Sequence, residues 1–183
     1  FPTEETECVK RMFADIREFI ITNPKLPSAD REFVPEIYPQ ISVNDSRDEI
    51  RNKIRELAGV SEMALLTLYS YREMSMTDWR PFVKAAIERN PVCHADLGGR
   101  HADEVYALIN KLTNESIYDS GRLAQPDEVW NFRRGDGTEK AFLMADALIF
   151  NDPDAEVKIS LEADQAVIEY NYRFYRFVTV KGL

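Results

Sequence analysis

Cysteine and histidine are scarce in this chain, with two of each among 183 residues. Cys8 and Cys93 stand far apart in sequence, which excludes a disulfide framework and favours a reducing, cytoplasmic setting over a secreted one. Two Asn-x-Ser triplets, Asn44-Asp45-Ser46 and Asn114-Glu115-Ser116, point the other way, but such triplets arise often by chance. No apolar run approaches the roughly 18–20 residues that span a bilayer, so no membrane span is expected. Nor is there an internal repeat, a low-complexity tract or a long linker. The chain opens at Phe1 without a signal-like apolar segment, and the expectation is that processing or trimming removed whatever came before. Positive charge is also short: 23 Lys+Arg against 32 Asp+Glu leave a net charge of −9, which repels phosphate backbones and argues against a nucleic-acid partner. Arg173, Arg176 and Lys181 are the one basic grouping of note, and they read as alternate residues on a solvated strand face.

What is present is enough for a packed core without metal or disulfides, since 44% of residues are hydrophobic and 30% charged. The first two thirds carry helical spacing. Val9, Met12, Phe13, Ile16, Phe19 and Ile20 paint one apolar stripe on a helix ending near Asn23-Pro24. Lys25 to Val43, with Pro27, Pro35 and Pro39, reads as an irregular packed loop. Ser46-Arg47-Asp48-Glu49 is a capping box opening a helix that Gly59 ends. Met63 to Tyr71 predicts a mostly buried helix, Trp79 to Ile87 another opened near Asp78, and Val105 to Leu112 a fifth.

The period then changes. A helix is predicted over about Thr138 to Phe150, and after Asn151-Asp152-Pro153 the pattern alternates. Val157, Ile159 and Leu161 mark a half-buried strand, and Gln165 to Tyr172 and Arg173 to Val180 two more around a short turn. Helices followed by an antiparallel sheet make an α+β fold. Residues 1–183 are read as one domain, with a mainly helical part at 1–118 and a motif helix plus antiparallel strands at 119–183.

The segment with most chemical content runs from Pro126 to Ala141: a short helix, a turn, then the N-terminus of an apolar helix. A nucleophile there would gain from the helix dipole and from free N–H groups able to hold an oxyanion. Gly135 to Leu148, GDGTEKAFLMADAL, resembles the active-site helix of the transglutaminase-like family within the papain-like cysteine-protease fold, which typically reads Gly-Asp-Cys, an acidic residue, Lys-Ala and an apolar helix. The Pro-x-Glu-Val segment of Pro126 to Val129 belongs to the same resemblance, which covers about 60 residues from Leu123 onward and is only architectural before that. It implies N-terminal helices packed on a C-terminal antiparallel sheet, with a Cys, a His and an Asp brought together. Here Gly137 stands where the family has its thiol, Ala163-Asp164-Gln165 where it has its His, and Phe177-Val178 where an aromatic precedes the Asp. The degenerate positions are thus Gly137, Gln165 and Val178. Without sulfur, imidazole or orienting carboxylate, the family mechanism has no parts to run on.

The expected function is accordingly a non-catalytic binding or scaffolding module for a peptide, a glycan or a small anionic ligand, needing no cofactor. Trp130, Arg133, Arg134, Asp136, Thr138, Asp164 and Gln165 are the candidate binding residues, since Trp offers a flat apolar face and Arg a planar donor fork. The plainer reading makes Trp130 core, the arginines solvated charges and Thr138 a helix cap. An enzyme is the alternative, a hydrolase or transferase using acidic residues near Gly137 (Asp136, Glu139, Asp164) or a divalent metal at the His94/His101 loop. That loop holds Cys93, His94, Asp96, His101 and Asp103, weak candidate ligands because their spacing matches no standard site.

Overall fold

A computed structural model describes residues 4–20, 30, 37–119 and 121–181 of the chain. The chain divides into two compact units, 1–35 and 36–183. In the first, helix α1 (Glu4–Ile20) bears the amphipathic pattern the spacing predicts, with Val9, Met12, Phe13 and Ile16 exposed. The predicted helix end at Asn23-Pro24 and most of the proline-rich loop lie outside the described residues. Where that loop is described, at 37–43, it is irregular as expected, but Ile37, Tyr38, Ile41 and Val43 are exposed rather than packed.

The second unit is α+β. Its helices are α2 (Arg47–Leu57), α3 (Glu62–Tyr71), α4 (Trp79–Glu88), α5 (Pro91–Leu97), α6 (Ala102–Asn110), α7 (Pro126–Phe132) and α8 (Gly137–Asn151); its strands are β1 (Val157–Leu161), β2 (Gln165–Tyr170) and β3 (Arg173–Val178). Among the described residues the strands form one antiparallel sheet in the order β1-β2-β3. The β2–β3 turn is made by Asn171 and Tyr172, both at positive φ, the geometry of the tight turns that match strand twist. The Ser46 capping box opens α2 with both reciprocal bonds present, and Asp78 caps α4. The expectation of a mostly buried third helix fails. Only Ala64 and Leu68 of α3 are buried, while Met63, Leu65 and Leu66 are exposed, because α3 packs on α2 along a single face. A helix the sequence reading did not contain, α5, occupies the stretch read as a loop around Cys93 and His94. Pro91 sits in its first turn, where the missing N–H costs nothing.

Helix α8 is the axis of the unit. Every residue from Gly137 to Leu148 is buried, with α4, α5, α6 and α7 packed around it and the sheet along another side. Ala141, Leu143, Met144, Ala147 and Leu148 join Ala166, Ile168, Tyr175 and Phe177 of the sheet in the main core. A second cluster gathers Met74, Phe82, Ala86, Leu123 and Phe142, where Phe82 and Phe142 meet edge to face with ring centroids 5.4 Å apart. Alternation along β2 and β3 aims Ala166, Ile168, Tyr175 and Phe177 at α8, and the register opposes Ile168 to Tyr175 and Gln165 to Val178. That register brings the end of β3 to the tip of α8.

Candidate functional site

At the end of α7 the chain turns through Arg133 in the left-handed region, and Asp136 caps α8. Asp136 and Glu139 form a capping box, but both are fully buried and do far more than cap. The Asp136 carboxylate accepts from Thr138 N at 3.0 Å, from Val180 N at 2.8 Å and from the Thr179 hydroxyl. Glu139 accepts from Asp136 N at 2.8 Å, Ser116 Oγ at 2.6 Å, Ala124 N at 2.9 Å and Lys181 Nζ at 3.0 Å. Lys140 donates to the Leu112 carbonyl at 2.8 Å and to Asn114 Oδ1 at 3.3 Å. Burial pulls the Lys140 amine below its ordinary range, and the nearby Asp136 charge opposes that shift. The helix tip is therefore a junction tying together the 112–124 segment, α8 and the chain beyond β3.

Gly137, Gln165 and Val178 do come together: Gln165 pairs with Val178 across β2–β3, and Val178 lies directly on Gly137. A Cβ at 137 would fall 2.5 Å from Val178 C and 2.8 Å from Phe177 O, with Val178 O closer still. The backbone of β3 fills the place where a nucleophile's side chain would project. Neither histidine supplies a base there. His94 lies against Asp146, nine residues along α8 from Gly137 and so about 14 Å up the helix at 1.5 Å per residue. His101 is the N-cap residue of α6. Thr138 is buried, its hydroxyl 3.1 Å from that of Thr179.

The remaining candidate binding residues are mostly engaged with the protein itself. Trp130 is core, its indole N–H donating to Asp96 Oδ2 at 2.7 Å and its ring covered by the Arg133 guanidinium, 3.9 Å from the ring centroid. Arg134 is paired with Glu115. Asp164 is exposed and its backbone carbonyl accepts from Thr179 N at 2.9 Å; Gln165 is half-buried. The basic grouping near the C-terminus is dispersed: Arg173 pairs with Asp103, and Lys181, with only 7% of its side chain exposed, pairs with Glu139.

An open cleft does adjoin the tip, on the side of residues 114–121. It encloses about 570 Å³ and is lined by Arg55, Glu73, Asn114, Ser116, Tyr118, Asp136 and Lys181, with Ser75 and Glu115 at exposed positions. Its charges are largely closed on one another, Arg55 to the buried Glu73 at 2.6 Å and Lys181 to Glu139 at 3.0 Å. Among these, Glu73 carries no sequence signal of a site, and the triplet holding Ser116 and the basic grouping holding Lys181 do not place them together. Only the chain's return from β3 to the 114–124 segment assembles them.

Of the second constellation, Cys93 and His94 converge, and their common partner is Asp146 of α8. His94 Nε2 lies 2.9 Å from Asp146 Oδ1, and Cys93 Sγ donates to Asp146 Oδ2 at 3.2 Å. Asp96 turns to Trp130 and Arg133, while Asp103 accepts from Arg173 and Tyr175; His101 and Asp103 border a depression of about 610 Å³ near the far end of α8. Burial first, and the Asp146 carboxylate second, push the Cys93 thiol far above its ordinary range. Burial likewise raises the Asp146 carboxyl, against the pull of the His94 and Cys93 hydrogen bonds. A thiol held protonated is no nucleophile. A disulfide reagent should titrate one thiol in the native protein, the exposed Cys8, and two after denaturation. Two native equivalents reacting at equal rates would contradict the burial of Cys93.

Comparison with protein families, with curated proteins and with solved structures finds no match to this chain. Among the described residues no helix is long and apolar enough to cross a membrane.

Proposed function

We propose that the chain is a non-catalytic transglutaminase-like domain that serves as a binding or scaffolding module, with the polar cleft beside the α8 tip as its docking site. The observation that carries this reading is the contact of Gly137 with the Val178 and Phe177 carbonyls. The position at which the family motif would present a thiol has no room for a side chain; the His94 imidazole lies against Asp146, and His101 stands at the start of α6. Acid–base chemistry on Asp136 and Glu139 gains no support either, since both carboxylates are buried and saturated by protein donors. The cleft's cations are already paired, so a small anion would compete with resident carboxylates. A neutral polar ligand, a peptide or a glycan, meets hydroxyl, amide and phenol groups without breaking an ion pair.

Two measurements test this. Incubation with amide and ester acyl donors, with and without an amine acceptor, should give no turnover; turnover removes the non-catalytic reading. Arrays of short peptides and oligosaccharides should yield ligands whose affinity falls at least tenfold in Ser75→Trp, which fills the cleft from an exposed position and, by removing the 2.8 Å hydrogen bond from Ser75 Oγ to the buried Glu73, should cost about 1–3 kcal/mol of stability while leaving the chain folded. Ligands that bind Ser75→Trp as tightly as the parent would place the docking site elsewhere.

A further inference from the structure

We infer that Cys93, His94 and Asp146 form a binding site for a zinc-like divalent cation that joins α5 to the middle of α8. This site is separate from the cleft and does not depend on what the cleft binds.

Thiol, imidazole and carboxylate each turn one ligand atom to a common point, and these atoms all lie within 4.8 Å of one another. Zinc bond lengths of about 2.0–2.3 Å put neighbouring ligands of a tetrahedral site about 3.3–3.6 Å apart. The 2.9 Å from His94 Nε2 to Asp146 Oδ1 needs to open only by a few tenths of an ångström, and Cys93 Sγ, 3.2 Å from the other carboxylate oxygen, closes the triangle within the same 4.8 Å. Adjacent residues on a helix point about 100° apart, so Cys93 and His94 can share a partner only because Asp146 approaches between them from another helix. The ligand set is mixed soft and hard, which suits zinc over magnesium or calcium.

Charge favours the ion as well. A thiolate and a carboxylate supply two negative charges, so a bound divalent cation leaves a neutral site, as burial demands. On binding, the Cys93 S–H bond gives its proton to bulk water, and bonds form from sulfur, from His94 Nε2 and from an Asp146 oxygen to the metal. The surroundings hold the ligands in place. The His94 ring stacks on Phe150 with centroids 4.0 Å apart and planes 14° apart, and Cys93 N donates to Asp127 Oδ1 at 2.7 Å. With Asp146 fully buried and 15% of the His94 side chain exposed, the imidazole edge is the way in for the ion. The Asn90 carbonyl, 3.4 Å from Cys93 Sγ, stands beside the trio, and a fourth position remains for it or for water.

Cobalt(II) titration of the purified full chain tests the proposal, because cobalt bound to thiolate gives a near-ultraviolet charge-transfer band. One equivalent should develop the band, zinc should bleach it, and Cys8→Ser should retain it while Cys93→Ser abolishes it. Zinc at a hundredfold excess over its Kd should raise Tm by about 5 °C or more. Should Cys93→Ser fold poorly, His94→Gln, changed at the more exposed ligand, gives a second reading, with cobalt affinity at least tenfold weaker. Absence of the band in the parent overturns the site, as does a band that survives Cys93→Ser or an affinity unchanged by His94→Gln.

Discussion

Gly137→Cys is expected to lower stability by about 3 kcal/mol, a fall of roughly 6–12 °C in Tm for a chain of this size, and to confer no acyl-transfer activity. The motif position invites the opposite expectation, since cysteine there would complete the Gly-Asp-Cys reading. Geometry decides against it. The obstacle is the Cβ, which meets Val178 C at 2.5 Å and Phe177 O at 2.8 Å. These are backbone atoms of β3, paired through Val178 to Gln165, so they cannot swing away as a side-chain end would. Either α8 or β3 must move, and both are locked by the bonds of Asp136 to Thr179 and Val180. Gly137→Ala should therefore cost nearly as much as Gly137→Cys, whereas a deficit confined to cysteine would point to the sulfur. Thermal and urea denaturation of both variants check this. A parent-like Tm for either would mean that β3 does not close the helix tip.

The same tip shows what a single sequence can and cannot reveal. The order of elements from Trp130 onward, the helix near Thr138 and the alternation at Val157, Ile159 and Leu161 were all legible, because periodicity is written residue by residue. The α+β class followed from that change of period. The burial of charge was not legible. Asp136 and Glu139 in a helix's first turn suit the helix dipole, and nothing in the spacing marks Lys140 or Asp146 as buried. On α8 there is no outer face, since helices and sheet enclose it from Gly137 to Leu148. Periodicity reports one apolar stripe and cannot tell that the remaining faces will be covered by partners far away in sequence. Cys93 and His94 show the converse. Their chemistry is plain in the sequence, which groups them with His101 in a single loop. Pro91 instead opens a helix, His101 caps the next one, and the partner is Asp146, more than 50 residues on.

Glu139→Ala is expected to have the largest effect of any single change at the tip, a loss of about 3–5 kcal/mol. Two contributions act together. The carboxylate is the shared acceptor for Ser116 Oγ, Ala124 N and Asp136 N, and removing it strands donors in a fully buried place at about 1–3 kcal/mol for each unsatisfied group. It is also the counter-ion of Lys181, whose side chain is 7% exposed, so the ammonium loses its paired charge within the protein. The ranking of variants separates the two. Glu139→Gln keeps a single acceptor oxygen, so either Ala124 N or Asp136 N meets the new NH2 as the charge is lost, and the change should cost about 2–3 kcal/mol. Adding Lys181→Met to Glu139→Gln should recover much of that cost, because a buried pair replaced on both sides is tolerated far better than a pair broken on one. A double-mutant cycle by urea denaturation reads this coupling directly. Additive losses would show that Lys181 and Glu139 do not depend on each other, and the segment beyond β3 would then be held to α8 by Asp136 and by the Thr138–Thr179 hydroxyl contact.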